Sequence, residues 1–391
     1  MKAGIITYWF SESNYGTVLQ NYAVQTILKK NGYEPTNIRF SSNSTLSFKE
    51  KINASVKQYG ILATIGGVLK RKFLAFSYKR NQKNDAQRSF KSFIDQYISN
   101  SEEVLKSSEQ MKSLLPEKSL YVVGSDQIWN VDDMLCFYAE REIPYVFLEN
   151  VPDASKKISF AASLGTTTSS SPYKEKIGTL LKRFDLITVR EKNGIEICKS
   201  FGVENVFHHF DPTLMLDRFD YRNLIDNKSK PQNGKYILLY LLNDATPFPL
   251  STFYKWAKNQ GMQVIYVNGN TDRFKFNFHK KTYPSIPEWL DLIDNAEYVF
   301  TNSFHGTVFS IIFNKQFLYV NQKKYKGNNN PRLESLLNSL SITDRFYDGD
   351  FAKVCKEIDY KSINDYLESY RKTSQVVEFL KKNSECEKIQ S

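Results

Sequence analysis

The chain has 391 residues, of which 41% are hydrophobic and 14% aromatic. Single hydrophobic cores stop growing at roughly 250–300 residues, so this length predicts two domains of comparable size. The aromatic content excludes an intrinsically disordered chain, which would have far fewer such residues. Lys and Arg outnumber Asp and Glu by 53 to 42, which favours an anionic partner: a phosphorylated substrate, a membrane surface or a nucleic acid.

The cysteines are scattered, with no CxxC pair and no histidine at zinc-ligand spacing: Cys136, Cys198, Cys355 and Cys386. This pattern predicts a reducing compartment and no structural metal. The first apolar run is interrupted by polar residues 11–14 before it could form the core of a signal peptide. We therefore expect a cytoplasmic protein whose first apolar run is a strand.

Short β-branched runs alternate with longer helical patterns, which is typical of parallel sheets with crossover helices. In the first half we predict strands at 3–8, 120–123, 157–161 and 186–189, and helices at 18–30, 173–183 and 192–200. The alternation restarts with strands at 235–242, 263–267, 298–301 and 317–320, and helices at 250–259, 286–295 and 306–313. Helices at 331–340 and 362–382 close the chain.

A polar, turn-rich stretch at 218–234 predicts a domain boundary. We expect an α/β protein with a Rossmann-like domain over 1–217, a second over 218–345, and C-terminal helices over 346–391 that could pack back on the first domain. Two such domains facing a central cleft resemble the architecture called GT-B. Functional residues in open α/β sheets gather at the carboxyl ends of the strands, and four motifs occupy such positions.

The first motif is Asn14, Tyr15 and Gly16, between the first strand and the first helix. A helix N-terminus presents free N–H groups and a positive dipole end, so it could hold a phosphate or carboxylate. The alternative is an ordinary turn in which Asn14 or Thr17 caps the helix.

The second motif follows the strand at 120–123 and contains Asp126, Gln127 and Trp129. A carboxylate beside an aromatic plane suits a sugar, whose hydroxyls need acceptors and whose C–H face needs an apolar surface. Equally, Asp126 could cap a helix while Trp129 packs in the core.

The third and fourth motifs carry Arg190 and His305, again at strand ends. A guanidinium there could hold a phosphate with two parallel hydrogen bonds, or form a surface network with Glu191. His305, preceded by Asn302 and Ser303, could donate a proton near neutral pH, although a histidine at a helix start is more often structural.

Taken in order, these motifs resemble the polysaccharide pyruvyltransferase family. The matching elements run over about 300 residues: GIIT at 4–7, NYG at 14–16, GSDQIWN at 124–130, SFAAS at 159–163, VRE at 189–191, DPT at 211–213 and TNSFHG at 301–306. The resemblance implies transfer of the enolpyruvyl group of phosphoenolpyruvate to a sugar, on a GT-B-like fold and without a metal or other cofactor. The product would be a pyruvate ketal of a galactose-like or N-acetylmannosamine residue.

The resemblance also implies roles for particular residues. His305 would be the general acid, Arg190 would bind the donor phosphate or carboxylate, and Asp126 would lie near donor or acceptor and could act as a base. Many family members carry arginine two residues before this histidine, where this chain has Ser303, which is itself a predicted donor-binding residue together with Asn14, Tyr15 and Gly16. The missing cation would then come from residues further along the chain: Lys323, Lys324, Lys326 and Arg332. Trp129, Gln127 and Asn302 are the predicted acceptor-binding residues.

The expected acceptor is a lipid-linked oligosaccharide at the cytoplasmic face of the membrane. The basic and aromatic stretch 61–91 could lie on anionic lipid, or form a solvated basic helix pair. A glycosyltransferase that uses a nucleotide sugar is the alternative enzyme, and a carbohydrate-binding scaffold protein is a third. The basic residues match no nucleic-acid-binding motif, and no GxGxxG follows the first strand, which disfavours a dinucleotide cofactor.

Overall fold

The computed structural model describes residues 1–40, 86–115, 119–130, 142–169, 171–225, 234–242, 248–269, 280–321 and 330–390. These residues form two parallel five-stranded sheets. Counted from its own first strand, each sheet has the strand order 3-2-1-4-5. This is the order of a Rossmann-like half, so the predicted pair of Rossmann-like α/β units is confirmed.

The first sheet has the order β3-β2-β1-β4-β5. Its strands are β1 (Lys2–Ile6), β2 (Glu34–Phe40), β3 (Asn100–Leu105), β4 (Leu120–Val123) and β5 (Lys156–Ser159). A parallel pair, β6 (Ile187–Val189) and β7 (Val206–His208), continues the sheet through bridges that join Ile158 to Leu186 and Ala162 to Val189. The carboxyl ends of all these strands therefore lie along one edge.

The second sheet has the order β10-β9-β8-β11-β12. Its strands are β8 (Tyr236–Leu241), β9 (Gln263–Asn268), β10 (Lys281–Thr282), β11 (Tyr298–Thr301) and β12 (Gln316–Tyr319). The central strand β8 is buried along its whole length, as expected for a parallel strand covered on both faces. Such continuous apolar runs made β4, β8 and β11 predictable. The more polar β2 and β3 lie toward one edge of the first sheet and were not predicted.

The helices of the first half are α1 (Tyr15–Lys30), α2 (Phe90–Tyr97), α3 (Lys174–Leu181), α4 (Asn193–Ser200) and α5 (Arg218–Arg222). Those of the second half are α6 (Leu250–Asn259), α7 (Ile286–Asp294), α8 (Phe304–Ile312), α9 (Pro331–Ser339), α10 (Tyr360–Thr373) and α11 (Gln375–Gln390). The single helix predicted at 362–382 is two helices, because Ser374 takes an extended conformation between α10 and α11.

Two of the helices that begin earlier than predicted carry candidate site residues. Asn14 caps α1 by accepting a hydrogen bond from the N–H of Thr17, so the helix starts at Tyr15. Ser303 caps α8 by accepting from the N–H of Gly306, so that helix starts at Phe304. The two caps fix where the N-terminal N–H groups of each helix lie.

The two halves share a contiguous apolar core. The ring of Tyr15 from α1 stacks on Trp289 of α7 at 4.8 Å, and its hydroxyl donates to the carbonyl of Pro284 at 2.6 Å. Arg88 is buried and donates to the carbonyl of Asn268 at the end of β9. Of the predicted membrane-binding stretch 61–91, residues 61–85 lie outside the described residues. Arg88 is not available to a lipid surface.

The C-terminal helices contact the first half. Tyr33 donates to the carbonyl of Leu380 in α11, and Arg371 in α10 donates to the carbonyls of Leu214 and Leu216. The exact domain boundaries at 217 and 345 stay predictions. Within the described part of the chain, no helix is both long and apolar enough to cross a membrane.

Candidate active site

The carboxyl edge of the first sheet gathers the polar residues of the candidate site. Ser125 and Asp126 follow β4, Arg190 follows β6, and Asp211 follows β7. Helix α1 starts at the same edge because it follows β1. Across the interface, β11 ends next to α8, and this connection brings His305 to the same place.

Asp211 lies at the centre of this group. Its Oδ2 atom accepts hydrogen bonds from Nη1 of Arg190 at 2.8 Å and from the hydroxyl of Ser125 at 2.9 Å. The same oxygen lies 3.5 Å from Nε2 of His305. Its Oδ1 atom accepts from the N–H and hydroxyl of Thr213 at 3.0 and 2.7 Å. One carboxylate thus joins an arginine from the first half to a histidine from the second.

The charge states of Asp211 and Arg190 follow from their neighbours. Burial alone would raise the pKa of Asp211, but His305 and Arg190 outweigh it and hold the pKa of this carboxyl well below its usual range. Burial likewise opposes the charge on Arg190, yet Asp211 and Glu191 hold its pKa above the usual value. We therefore treat Asp211 as a carboxylate and Arg190 as a guanidinium throughout the physiological pH range.

The guanidinium of Arg190 retains donors that no described residue accepts. The residue is 3% exposed, and its Nε and Nη2 atoms make no hydrogen bond within the described part of the chain. Nε lies 3.7 Å from the nearest oxygen of Glu191, and the ring of Phe304 lies 4.6 Å from the guanidinium carbon. Because a buried donor without a partner costs free energy, these N–H groups indicate a place for the oxygen atoms of an anion.

The imidazole of His305 lies against the main chain of Gly16. A Cβ atom added to Gly16 would come within 1.9 Å of Nδ1 of the ring. His305 is the second residue of α8 and Gly16 the second of α1, so the N-termini of two helices meet at this imidazole. Nδ1 faces the main chain of Gly16, whereas Nε2 faces Asp211.

This contact predicts that Gly16→Ala will lower catalysis although alanine is the better helix former by about 1 kcal/mol. The methyl group must displace the imidazole, and a small displacement of a reacting group can cost about a hundredfold in rate. We expect kcat to fall by about that factor while the helical circular dichroism is unchanged. Thr26→Ala, in the same helix and outside the site, is the control; equal activities of the two variants would contradict the assigned contact.

The other described histidines are poor candidates for a general acid. Burial lowers the pKa of His208 to about 4 and that of His209 to about 4. Both are therefore neutral near pH 7 and have no extra proton to donate. His209 is fully buried, between the rings of Phe160 and Tyr370. His279 lies outside the described residues.

Asp126 borders the cluster from the side of α1. Its Oδ2 atom accepts from the hydroxyl of Thr17 at 2.8 Å, and its Oδ1 atom accepts from the N–H of Gln127 at 2.9 Å. Its φ of 68° lies in the left-handed region, which aspartate adopts more readily than most residues. Its charge helps to raise the pKa of Arg190. The strained backbone therefore directs this carboxylate to the first turn of α1, beside the site.

Two predicted aromatic site residues are core residues instead. Trp129 is 1% exposed; its ring stacks on Phe147 at 5.2 Å and its N–H donates to the carbonyl of Val146. It has no open face for an acceptor sugar, which corrects that prediction. The buried ring and bonded hydroxyl of Tyr15 likewise exclude its side chain from donor binding, although the N–H groups at the start of α1 keep that role as a prediction.

The remaining predicted site residues are only partly available for ligand binding. Asn302 is fully buried and its amide oxygen accepts from the N–H of Leu242, which corrects its assignment as a residue that binds the acceptor sugar. The amide oxygen of the half-buried Gln127 accepts from Asn130 at 2.9 Å. Arg332 lies in α9, whereas Lys323, Lys324 and Lys326 lie outside the described residues.

The sequence interpretation missed Asp211 and Ser125 as members of the cluster. Asp211 occurs in the DPT motif, and Ser125 directly precedes Asp126. Ser125 follows the predicted strand at 120–123, so the rule that selected Asp126 would have selected it as well. Asp211 follows β7, a strand that the sequence analysis did not predict. No pattern in the sequence, however, predicts that Asp211 bonds Arg190, 21 positions before it, or approaches His305, 94 positions after it.

Comparison with known proteins supports an assignment at the family level. The family model of polysaccharide pyruvyl transferases matches residues 14–324, which include every residue of the cluster. A comparison with curated proteins finds no match. Similar solved structures include a putative UDP-N-acetylglucosamine 2-epimerase from Listeria monocytogenes, at 9% identity with 88% of each chain covered and a TM-score of 0.45. The UDP-GlcNAc 2-epimerase from Methanocaldococcus jannaschii has 10% identity, covers 93% of this chain and 92% of its own, and has a TM-score of 0.46.

Proposed function

We propose, because the chain belongs to the polysaccharide pyruvyl transferase family and is therefore a transferase, that it uses phosphoenolpyruvate to form a pyruvate ketal on a sugar of a surface glycan. The observation that carries this proposal is the buried group of Arg190, Asp211 and His305. It offers unsatisfied N–H groups for an anion beside an imidazole that can deliver a proton.

In the proposed mechanism, protonated His305 donates the proton on Nε2 to the methylene carbon of phosphoenolpyruvate. The carbon–carbon double bond becomes a methyl group and the neighbouring carbon becomes cationic in character. A sugar hydroxyl adds to that carbon and gives up its proton. Phosphate then leaves with its bonding electron pair, and a second hydroxyl closes the ketal and gives up its proton. Of the two protons released by the hydroxyls, one restores the protonated imidazole and the other leaves on the phosphate as hydrogen phosphate, so the reaction balances.

Three described side chains have roles in this mechanism. The carboxylate of Asp211 lies 3.5 Å from Nε2 and would orient the imidazole for the transfer. The unsatisfied N–H groups of Arg190 would receive phosphate or carboxylate oxygens of the donor. Asp126 keeps acceptor capacity for the hydroxyl proton, since each carboxylate oxygen has more than one lone pair.

The balance of charge in the site requires further cations. Three carboxylates, those of Asp126, Glu191 and Asp211, surround Arg190, and they outnumber the cationic groups even when His305 is protonated. A trianionic donor therefore needs other positive side chains. Arg332 is the described candidate. In α9, Arg332 lies one turn before Ser335 and therefore on the same face of the helix. The hydroxyl of Ser335 accepts from the N–H of Lys192, which follows Arg190 by two residues, so this face of α9 lies near the site. Lys323 is the second proposed source.

We also propose that the acceptor is a lipid-linked oligosaccharide, and that residues 61–85 of the basic stretch contact the inner face of the membrane. Binding to anionic liposomes in a flotation assay tests that contact. A variant with Lys70, Arg71 and Lys72 reversed in charge should float less than the wild type. Equal flotation of the two proteins would contradict the membrane role.

Ligand-induced thermal stabilisation tests the donor. A ligand at one hundred times its dissociation constant stabilises the folded state by about 2.7 kcal/mol. We expect phosphoenolpyruvate to raise the melting temperature and UDP-N-acetylglucosamine to leave it unchanged. Stabilisation by the nucleotide sugar alone would replace the proposed donor by that of a glycosyltransferase.

A further inference from the structure

Exposed aromatic rings lie beside the candidate site, in the loop that joins β1 to α1. We call residues 7–14 the aromatic loop. Tyr8 is 38% exposed and Phe10 is 45% exposed, and Trp9 between them is half-buried. Exposed large hydrophobic side chains are few in the described part of the chain: Tyr8, Phe10, Phe207, Phe219 and Tyr366. Two of them are therefore neighbours in this one loop.

Both ends of the aromatic loop are fastened to the site. At its start, the hydroxyl of Thr7 donates to the carbonyl of Ser125 at 3.2 Å, and the hydroxyl of Tyr8 donates to the carbonyl of Gln127 at 3.3 Å. Just beyond its end, Gly16 contacts the imidazole of His305. Since a residue spans at most about 3.5 Å of chain, the Cα atom of Phe10 lies within about 11 Å of that of Thr7, whose hydroxyl bonds the residue before Asp126.

The rings are held by contacts that leave apolar surface open. The indole N–H of Trp9 donates to the carbonyl of Phe40 at 3.0 Å, and the guanidinium of Arg39 lies 5.7 Å from the indole ring. The ring of Phe10 packs on Trp9 at 5.7 Å with an interplanar angle of 44°. Because the two rings are already fixed in the folded protein, binding of a ligand to their exposed surface costs little further conformational entropy.

We infer that Trp9 and Phe10, flanked by Tyr8, bind the acceptor by stacking on the C–H face of a sugar ring. This inference rests on the proposed function and supplies the aromatic surface that the buried Trp129 cannot provide. A pyranose needs an apolar plane beneath its axial C–H groups and polar acceptors at its rim. The loop offers the plane, and Asp126 lies at the strand end to which Tyr8 is bonded. Acceptor recognition thus belongs to the first half of the chain, whereas His305 comes from the second.

Saturation-transfer NMR of simple glycosides tests the inference on the intact protein. The probes are methyl β-galactoside and methyl N-acetyl-β-mannosaminide, each without an aromatic group of its own. We expect saturation of sugar C–H protons by the wild type, and a signal lower by about fivefold or more in the Trp9→Ala/Phe10→Ala variant, because a stacked aromatic pair contributes on the order of 1 kcal/mol. Phe10→Tyr, which keeps the ring plane, should retain the signal.

Phe219→Ala is the matched control because it removes a 58% exposed ring elsewhere. Its glycoside signal should equal that of the wild type, and the phosphoenolpyruvate-induced thermal shift should persist in every variant. Equal glycoside signals in wild type and double variant would overturn the inference, as would no signal from either glycoside with the wild type. The inference would also be overturned if the double variant lost binding to phosphatidylglycerol vesicles while its glycoside signal stayed equal to that of the wild type. A glycoside signal without a phosphoenolpyruvate shift would instead count against the proposed donor.

Discussion

Replacement of His305 by glutamine is expected to lower kcat for pyruvyl transfer by about 10²–10⁴-fold, the usual contribution of a general acid. Glutamine can still donate a hydrogen bond, but it cannot deliver a proton to the methylene carbon. The carboxylate of Asp211 would remain paired with Arg190 at 2.8 Å, so the fold and the donor pocket should be retained. Phosphate release in the presence of acceptor is the measurement.

The control for this prediction is His208→Gln. His208 is the last residue of β7. Its imidazole bonds the main chain of Arg190, a contact that the glutamine amide can also make, and burial already keeps it neutral at pH 7. Its kcat should stay within about twofold of the wild type, as for most changes outside a site. An unchanged kcat in His305→Gln, with phosphoenolpyruvate still bound, would remove the imidazole from the acid role.

The second large effect is expected from Arg190→Met, which should impair both folding stability and donor binding. Removal of one partner of a buried ion pair typically costs about 3–5 kcal/mol, because the remaining charge is left uncompensated. Here that charge is Asp211, which is 1% exposed. Loss of two charge-assisted hydrogen bonds to the donor should also raise its KM by about a hundredfold or more. Urea denaturation and steady-state kinetics measure the two effects separately.

A double variant distinguishes the structural from the catalytic role of Arg190. In Arg190→Met/Asp211→Asn the buried carboxylate is absent, so most of the lost stability should return. Donor binding should not return, because the guanidinium is still missing. Arg190→Lys should also bind the donor weakly. An ammonium group lacks the planar fork of N–H donors with which a guanidinium can bond Asp211 and an anion at the same time. Recovery of the wild-type KM in the double variant would contradict donor binding by Arg190.

Much of the architecture followed from the sequence because parallel strands covered on both faces read as continuous apolar runs. The strands β4 and β11 and the helix α6 lie where the patterns placed them. β2 was missed because Pro35 and Asn37 interrupt its apolar pattern, and β3 because its residues are largely polar. Tertiary pairing with β1 and β2, which no local pattern encodes, holds both strands in the sheet.

The candidate site was predictable to the extent that chemistry follows strand ends. That rule selected Arg190, Asp126 and His305, and the structure brings Arg190 and His305 to one carboxylate. The rule could not distinguish an exposed aromatic residue from a buried one when both follow the end of a strand. Trp129 and Phe10 both follow a strand closely, yet only Phe10 is open. The difference arises from Phe147, a distant residue that covers the ring of Trp129.

Mass spectrometry of the product tests pyruvyl transfer directly. The intact protein is incubated with phosphoenolpyruvate and a panel of disaccharides, each offered both free and linked to a lipid. We predict that one lipid-linked acceptor gains the mass of pyruvate less one water, with one phosphate released for each product formed, and that His305→Gln forms none. Acceptors that stay unchanged with phosphoenolpyruvate but gain a hexose from a nucleotide sugar would contradict pyruvyl transfer.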